Sequence, residues 1–462
     1  GVSFALSLGN MTGYDENDVL EYAMHDEQTK VIAIYLESLT SPQTFLTLAA
    51  ELSHSKPIFL LKGGTTKEGS QAALSHTAAL ATSQVLLDSL CLQAGIVQVA
   101  NFEQLVRASV GASKSHYLPD NLLIVTNAGG PGVVLTDEII KAGIPMSRPP
   151  LDLLGDATPA DFEQALSTQD LSLDTIVVIV TQQAVTDMAG ITKVLTRKRG
   201  KHLLFVCLAG GDEQEIYRTQ LKQSGVIVTR YPNEIAETLE LLYKAKLAQN
   251  QAKFSSLTVA GQTRPFPISY QDTVKLLEDY DFKTPKSIII TSKSDLPKLA
   301  DLTYPLIAKT TNLEIKHKGK IGAVILDLID ASTSLAAYQK LTQWGSDVVF
   351  QEKIKTGVEV LLGAHHDPVW GWYLAVGLGG SLSDTYDDRI YLFLPVDATQ
   401  IRSVLHTTKL VSLLNESQTK FLIEGILKFA CLVLETKGLN EFEINPLFVT
   451  KDQLIAADLK RS

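Results

Sequence analysis

Two widely separated stretches of this chain carry residues suited to moving a phosphoryl group between a nucleotide and a histidine. The first is Gly69-Ser-Gln-Ala-Ala-Leu-Ser75-His76-Thr77, small side chains around a single imidazole. An imidazole nitrogen accepts a phosphoryl group well when a carboxylate fixes its tautomer and orientation. Glu37, closing the apolar run from Val31, is the best candidate for that carboxylate. The second stretch is Glu443-Ile444-Asn445-Pro446 followed by Asp458. Asn445 and Asp458 offer hard oxygen donors, which suit Mg2+ when nucleotide phosphates and water complete the shell.

Other residues fit the same chemistry. Lys309 ends an apolar run, where a compact cation on a flexible stem can meet phosphates. Lys316-His317-Lys318-Gly319-Lys320-Ile321-Gly322 clusters positive charge with flexible backbone ahead of a strand, as a phosphate-handling loop requires. Gly377-Leu378-Gly379-Gly380 would allow close backbone approach to phosphates. Val125-Thr-Asn127-Ala-Gly129-Gly130-Pro131-Gly132 lies between a strand and a helix starting near Leu135, where free amides suit phosphate or carboxylate. Each has a plainer reading when taken singly. His76 reads as a structural histidine, Lys309 as a strand-end lysine, and the basic loop as a solvated turn. Asn445 and Asp458 read as an Asn turn beside a solvated Asp, and the two glycine clusters as ordinary turns.

The elements that must position these residues follow from periodicity. The 462 residues exceed one comfortable core, so three or four domains are expected. With 45% hydrophobic and 20% charged residues the chain is globular rather than disordered. A net charge of −10, without a basic stripe interleaved with aromatics, argues against nucleic-acid binding. No apolar run reaches the roughly 20 residues needed to span a bilayer. Three cysteines, single and in apolar runs, point to buried thiols in a reducing, cytoplasmic compartment.

Strands are expected at residues 2–8, 31–36, 57–61 and 96–99, with helices at 18–25, 45–54, 71–79, 84–94 and 102–108 between them. This alternation implies a parallel sheet with helices on both faces. A second α/β unit with a core of its own has strands at 122–126, 175–181, 202–208 and 226–229 and helices at 136–142, 159–166, 183–198 and 234–248. From residue 269 the pattern becomes α+β. Two antiparallel-looking strands at 320–328 and 348–354 enclose a helix, and further strands lie at 358–365, 373–378, 390–394, 443–449 and 453–458. The expected fold is two tandem doubly wound units followed by a two-lobed domain that holds a nucleotide. The expected bounds are 1–116, 117–250, a linker at 251–268, and 269–462 with lobes at about 283–350 and 351–462.

Segments through nearly the whole chain resemble the nucleoside-diphosphate-forming acyl-CoA synthetases, the ADP-forming acetate–CoA ligases and their relatives, which are related to succinyl-CoA synthetase. They are Gly1-Val-Ser-Phe to Leu8-Gly9-Asn10, Tyr35-Leu36-Glu37, Lys62-Gly63-Gly64, Ser75-His76-Thr77, Thr126 to Gly132, His317-Lys318 and Glu443 to Leu447. The resemblance implies flavodoxin-like, succinyl-CoA synthetase-like domains followed by an ATP-grasp domain. It makes His76 similar to the histidine phosphorylated in catalysis, Glu37 to its supporting carboxylate, and His317 to a second histidine that ferries phosphate to the nucleotide. Lys309 and Glu359 would lie in the nucleotide site, Gln351 near the adenine hinge, and Asn445 and Asp458 on Mg2+. The implied cofactors are ATP/ADP, Mg2+, coenzyme A and phosphate. The implied partners are a small carboxylic acid or its CoA thioester, a nucleotide, and a homo- or hetero-oligomeric assembly. Such proteins usually carry a CoA-binding domain ahead of the matching region, so one is expected in cis or as a separate subunit. The alternative is the synthetase-like regulatory region of a protein acetyltransferase. Departures from the family pattern are Pro149-Pro150-Leu151-Asp152, Thr181-Gln182-Gln183, Ala323, Trp370 and Asp384. They bear on the acyl group rather than on any proposed catalytic residue.

Overall fold

A computed structural model describes residues 2–9, 11, 13–66, 83–114, 121–146, 148–167, 173–197, 203–249, 263–267, 269–315, 318–319, 321–345, 347–380 and 388–461. His76 and its expected helix at 71–79, Lys316 and His317, Asp384, and most of the expected linker lie outside the described residues. The chain divides into two compact units, residues 1–40 with 44–253, and 254–462 with 41–43.

In the first unit, β1 (Ile32–Leu36), β2 (Ile58–Lys62) and β3 (Ile96–Gln98) form a parallel sheet in that order. With them come helices α1 (Glu16–His25), α2 (Pro42–Ser53), α3 (Gln84–Ala94) and α4 (Phe102–Lys114). Residues 2–8 form no strand. The segment has strand composition, but no strand among the described residues pairs with it, and Val2 and Leu6 stay exposed. Backbone pairing, rather than composition, is what makes a strand.

A second parallel sheet contains β4 (Leu122–Thr126), β5 (Leu151–Asp152), β6 (Thr175–Thr181), β7 (Leu203–Ala209) and β8 (Ile227–Thr229), in the order β5-β4-β6-β7-β8. Helices α5 (Gly129–Lys141), α6 (Pro159–Leu166), α7 (Met188–Leu195), α8 (Glu215–Gln223) and α9 (Pro232–Gln249) accompany it. Strand alternation divides the central side chains between two faces. Ile124, Val177, Ile179 and Phe205 pack with Leu135 and Ile139 of α5 and Leu239 and Leu242 of α9. Val125, Val178, Val180 and Val206 pack instead with Phe162, Ile191 and Leu221 of α6, α7 and α8. Burial on both faces is why these strands read as unbroken apolar runs. The first of these cores continues through Leu105 and Ala108 of α4 to Phe59 and Val97 of the first sheet. The expectation of a separate core for each sheet is therefore corrected: α4, α5 and α9 lie within one core shared by both.

Two further boundaries differ from expectation. Helix α5 begins at Gly129 rather than near residue 136, so the glycine-rich segment is itself the first helical turn. Its low intrinsic propensity is overridden by packing, with Gly132 set close against Thr126. Helix α7 is shorter than the expected 183–198, because Asp187 caps it through the Gly190 amide at 2.9 Å.

The second unit starts with β9 (Arg264–Pro265) and α10 (Tyr270–Asp279). Four antiparallel strands, β10 (Ser287–Ile290), β11 (Leu306–Thr310), β12 (Val324–Leu328) and β13 (Val348–Glu352), are ordered β10-β13-β11-β12. The two strands expected around helix α11 (Ala331–Leu341) thus flank β11 and do not pair with each other. Leu306, Ala308, Val348 and Phe350 pack with Ala337 and Leu341 of α11. By alternation, Lys309 and Gln351 project from the opposite face.

The larger sheet holds β14 (Val358–Asp367), β15 (Gly371–Leu378), β16 (Ile390–Phe393), β18 (Glu441–Val449), β19 (Leu454–Ala456) and β20 (Leu459–Arg461). Between β16 and β18 come helices α12 (Ala398–Leu405) and α13 (Glu416–Leu434) and the short β17 (Thr436–Lys437), which pairs in parallel with β9. The single strand expected at 453–458 is two strands broken at Ala457-Asp458. Among the described residues no helix is long and apolar enough to cross a membrane.

The glycines closing β15 serve the chain itself. A Cβ on Gly379 would lie 2.6 Å from the carbonyl carbon of Val360 and 2.9 Å from the amide nitrogen of Leu361. Backbone cannot yield as a flexible side chain can, so Gly379→Ala is expected to lower stability by about 1–3 kcal/mol. At Gly130, with no atom within 4 Å of the added carbon, Ala should change stability by no more than about 0.5 kcal/mol. Urea midpoints of the two variants check the contrast.

Candidate active site

Glu37 follows β1 at the C-terminal end of the first sheet. Tyr35 donates from its hydroxyl to Glu37 Oε1 at 3.1 Å, and Lys62 Nζ donates to the Glu37 main-chain carbonyl at 2.7 Å. Burial lowers the Lys62 pKa, while Glu37 opposes that shift. Burial also raises the Tyr35 pKa, helped by its bond to Glu37. Among the described residues, Glu37 Oε2 is buried without a hydrogen-bond partner. An orphaned acceptor of this kind calls for a donor, and a histidine ring N–H is one. Nearby in the chain, buried Glu16 accepts from the amide and hydroxyl of Thr40 at 2.7 and 2.9 Å, steadying the loop between Glu37 and α2. Glu16 did not stand out in the sequence, where it looks like one polar residue in an ordinary element, and Tyr35 stood out only within the Tyr35-Leu36-Glu37 segment, without a role of its own.

In the second sheet the strand order reverses between β4 and β6, the place where open α/β sheets form a crevice beyond their carboxyl ends. Asn127 bridges that reversal. Its Nδ2 donates to Thr181 O at 2.9 Å, and its Oδ1 accepts from the Thr181 amide at 2.9 Å and hydroxyl at 3.2 Å. Beside it, Gly129 and Gly130 are exposed at the start of α5, whose first amides have no side-chain cap. Asp152 approaches Gly129 so closely that an added Cβ would be 2.9 Å from its Oδ2, whereas Gly130 borders open space. The free helix start can accept an anion at Gly130.

The two sheets of the second unit meet around Asp458. Lys309 Nζ and Lys318 Nζ lie 3.3 and 3.0 Å from the same oxygen, Asp458 Oδ1. Lys309 also donates to Ala457 O, and Lys318 to Leu459 O at 2.7 Å. Both lysines are almost wholly buried, at 2% and 4% exposure. The Tyr270 ring lies 5.8 Å from the Lys309 ammonium. Desolvation pulls both lysine pKa values down, and Asp458 resists that pull. Desolvation would raise the Asp458 pKa, but the two ammoniums outweigh it and hold the carboxyl below its ordinary range. Gln351 joins the group by donating to Ala457 O at 3.3 Å, and its buried Oε1 has no partner among the described residues.

Asn445 stands opposite Asp458. Between the paired residues Leu447–Ala456 and Ile444–Leu459, the Asn445 amide donates to Asp458 O and the Ala457 amide to Pro446 O, both at 3.0 Å. Directly opposed residues of antiparallel strands face the same side. Asn445 Oδ1 accepts from the Gly380 amide at 2.9 Å, and its Nδ2 donates to Glu443 Oε1 at 3.2 Å. Gly380 has φ +63°, and any side chain there would overlap the Glu359 carboxylate. The glycine cluster thus brings Glu359 and Asn445 together. Protein atoms fill the places expected for phosphate beside Gly379 and Gly380, which corrects that expectation.

Lys309, Gln351, Glu359, Asn445 and Asp458 are therefore gathered in one region. Lys318 belongs with them, though in the sequence it read as one of three lysines in a basic loop and as a neighbour of His317, with no role of its own. Among the described residues no three His, Cys, Asp or Glu side chains form a metal cluster. Two oxygen donors, Asn445 and Asp458, fit Mg2+, which keeps several waters and shares its shell with substrate phosphates. A cavity of about 1110 Å3 opens where the two sheets join, lined by Lys283, Pro285, Glu352, Ile354, Gly357 and Ile455 among others. In the first unit, Asn127→Ala should cost about 2–3 kcal/mol, because it strands the buried main-chain groups that Asn127 pairs with. Chemical denaturation measures that loss.

Two family models match the chain, the succinyl-CoA ligase like flavodoxin domain over residues 1–110 and the ATP-grasp domain over residues 268–461. The chain is 27% identical to the 4-hydroxybutyrate–CoA ligase [ADP-forming] of Nitrosopumilus maritimus, over 97% of this chain and 72% of that protein. It is 23% identical to the acetate–CoA ligase [ADP-forming] I of Archaeoglobus fulgidus, over 100% of this chain and 74% of that one. Among solved structures it is similar to the Ca. Korarchaeum cryptofilum dinucleotide forming acetyl-coenzyme A synthetase 1 in complex with phosphate and ADP. There the TM-score is 0.49 and the identity 27%, over 53% of this chain and 59% of that one. The chain thus carries a succinyl-CoA ligase like flavodoxin domain and an ATP-grasp domain, and is similar over nearly its full length to ADP-forming acyl-CoA ligases.

Proposed function

We propose that the chain is the phosphohistidine and nucleotide-binding part of an ADP-forming acid–CoA ligase, interconverting acyl-CoA, ADP and phosphate with acid, CoA and ATP. The observation that carries this reading is the convergence of two buried ammoniums beside the Asn445–Asp458 oxygen pair in an ATP-grasp domain. Such a charge arrangement suits a transferring phosphoryl group, whose negative charge is spread over its oxygens.

The reaction divides into three balanced steps. Phosphate oxygen attacks the thioester carbonyl, the C–S bond breaks, and the thiolate leaves to take a proton. His76 then attacks phosphorus of the acyl phosphate. The unprotonated ring nitrogen forms the P–N bond as the P–O bond breaks and the carboxylate departs. Finally the phosphoryl group passes from His76 by way of His317 to an ADP oxygen, giving ATP, each P–N bond breaking as the next bond to phosphorus forms. Glu37 Oε2, without a partner among the described residues, accepts the N–H of the His76 nitrogen that is not attacking and so holds the ring in one tautomer. The α5 amides at Gly129 and Gly130 offer a seat for phosphate.

At the nucleotide end, Lys309 neutralises phosphate charge and Glu359 orients the sugar. Gln351 Oε1, buried without a partner among the described residues, accepts from the base. Asn445 and Asp458 would hold Mg2+, which would supply charge neutralisation for the nucleotide phosphates. We assign the phosphohistidine domain to 1–116, the second flavodoxin-like domain to 117–250, the linker to 251–268 and the ATP-grasp domain to 269–462. Coenzyme A would be held chiefly by a CoA-binding domain, in cis or as a separate subunit, within a homo- or hetero-oligomer. Three cysteines without disulfides fit a cytoplasmic setting.

Histidine phosphorylation tests the reading. With the CoA-binding domain present, acyl-CoA and labelled phosphate should leave an acid-labile phosphoryl group on wild type and none on His76→Asn. Equal labelling of the two would remove His76 from the mechanism. His317→Ala should still be labelled from acyl-CoA and labelled phosphate while ATP formation falls at least about a hundredfold. ATP output near the wild-type rate would mean that phosphate reaches the nucleotide without His317.

A further inference from the structure

We propose that Asp458 stands in for a phosphate oxygen between Lys309 and Lys318, so that Lys318 is a further phosphate-binding residue. Nucleotide and metal then bind cooperatively by exchanging partners with this triad. The inference rests on the nucleotide reading above and adds to it a residue and a coupling.

Three features of the triad lead there. Both ammoniums converge on one atom, Asp458 Oδ1, at 3.3 and 3.0 Å. One anionic oxygen gripped by two cations is also what a bound phosphate would offer. Second, the ammoniums are fixed by the carbonyls on either side of the carboxylate, Ala457 O and Leu459 O. An ammonium has three donors, so each lysine keeps one N–H beyond its bonds to Asp458 and a carbonyl. Third, exposure is uneven. The lysines are buried, while a quarter of the Asp458 side chain reaches solvent. A ligand therefore meets the carboxylate first and the ammoniums through it.

Charge arithmetic supplies the coupling. Two ammoniums and one carboxylate leave a net charge of +1. A nucleotide arriving without metal brings its phosphates against Asp458, which repels them and already occupies both lysines. A divalent cation arriving alone meets two ammoniums close to its ligand Asp458. Together the ligands remove both conflicts, because the carboxylate turns to the cation while the ammoniums pass to phosphate. Each ligand raises the affinity for the other by the same factor, as linkage requires. Asn445, facing the same side as Asp458 across the strand pair, gives the turned carboxylate a second oxygen to work with.

The test is ADP binding by calorimetry to the whole protein, with its CoA-binding domain, in EDTA and in excess Mg2+. Wild type should bind ADP more tightly with Mg2+, by a factor of about 5–150. Asp458→Asn removes the competing charge at constant shape. It should bind metal-free ADP at least about fivefold more tightly than wild type, and Mg2+ should add less than about twofold. Lys318→Met should weaken ADP binding in excess Mg2+ about tenfold or more. Metal-free affinity that is unchanged or weaker in Asp458→Asn overturns the exchange. If that variant does not fold, Lys318→Met decides, and wild-type affinity in it removes Lys318 from the site. ADP binding to none of the proteins would defeat the nucleotide reading, and this inference with it. Equal binding to all three defeats the inference alone.

Discussion

Two lysine ammoniums cannot be taken out of water without a negative group to receive them, and that requirement organises the second unit. Desolvating a cation is expensive, and a buried pair that loses one partner is destabilised by about 3–5 kcal/mol. Asp458 meets the need for Lys309 and Lys318 at once. For it to do so, β11 must place Lys309 on the face away from α11, and the strand running from Leu454 must break so that Ala457 and Leu459 can turn their carbonyls to the ammoniums. The break looks like an interruption of regular structure. It is the feature that makes room for a charged centre where two sheets meet.

The first unit meets its constraint differently. Its second sheet is buried on both faces by helices, so polar chemistry can lie only at the strand ends. Asn127 satisfies the main-chain groups of Thr181 at the point where strand order reverses, which leaves the amides of Gly129 and Gly130 free. Glu37 takes the corresponding place after β1, with one oxygen held by Tyr35 and the other unpartnered among the described residues. In both sheets the interior is closed by hydrocarbon, and the candidate site residues Glu37, Gly129 and Gly130 follow strands at the carboxyl edge. A core shared through α4, α5 and α9 binds these two sheets into one unit.

Much of the fold was legible in the residues because the signals were local. The apolar runs of β4, β6 and β7 and the apolar stripes of α4 and α9 follow directly from burial on two faces or one. Asn415 with Gln418 three residues on is a readable start for α13, a helix that went unassigned because its apolar run masks the helical period. Residues 2–8 have the composition of a strand yet form none, since strand formation depends on a neighbour that composition cannot supply.

For the candidate site, residue types and order alone determined which groups were available: His76, Glu37, His317, Lys309, Gln351, Glu359, Gly129, Gly130, Asn445 and Asp458. They also tied the chain to a family, because several short motifs in fixed order leave little freedom. Only the tertiary structure decided that Lys318 belongs beside Lys309, that Asp458 is held by both, and that Gly379 and Gly380 accommodate protein rather than phosphate. Lys318 is 140 residues from Asp458 along the chain, so no local pattern could join them. Burial is what turns an ordinary lysine into a functional one, and burial is a property of the assembled fold.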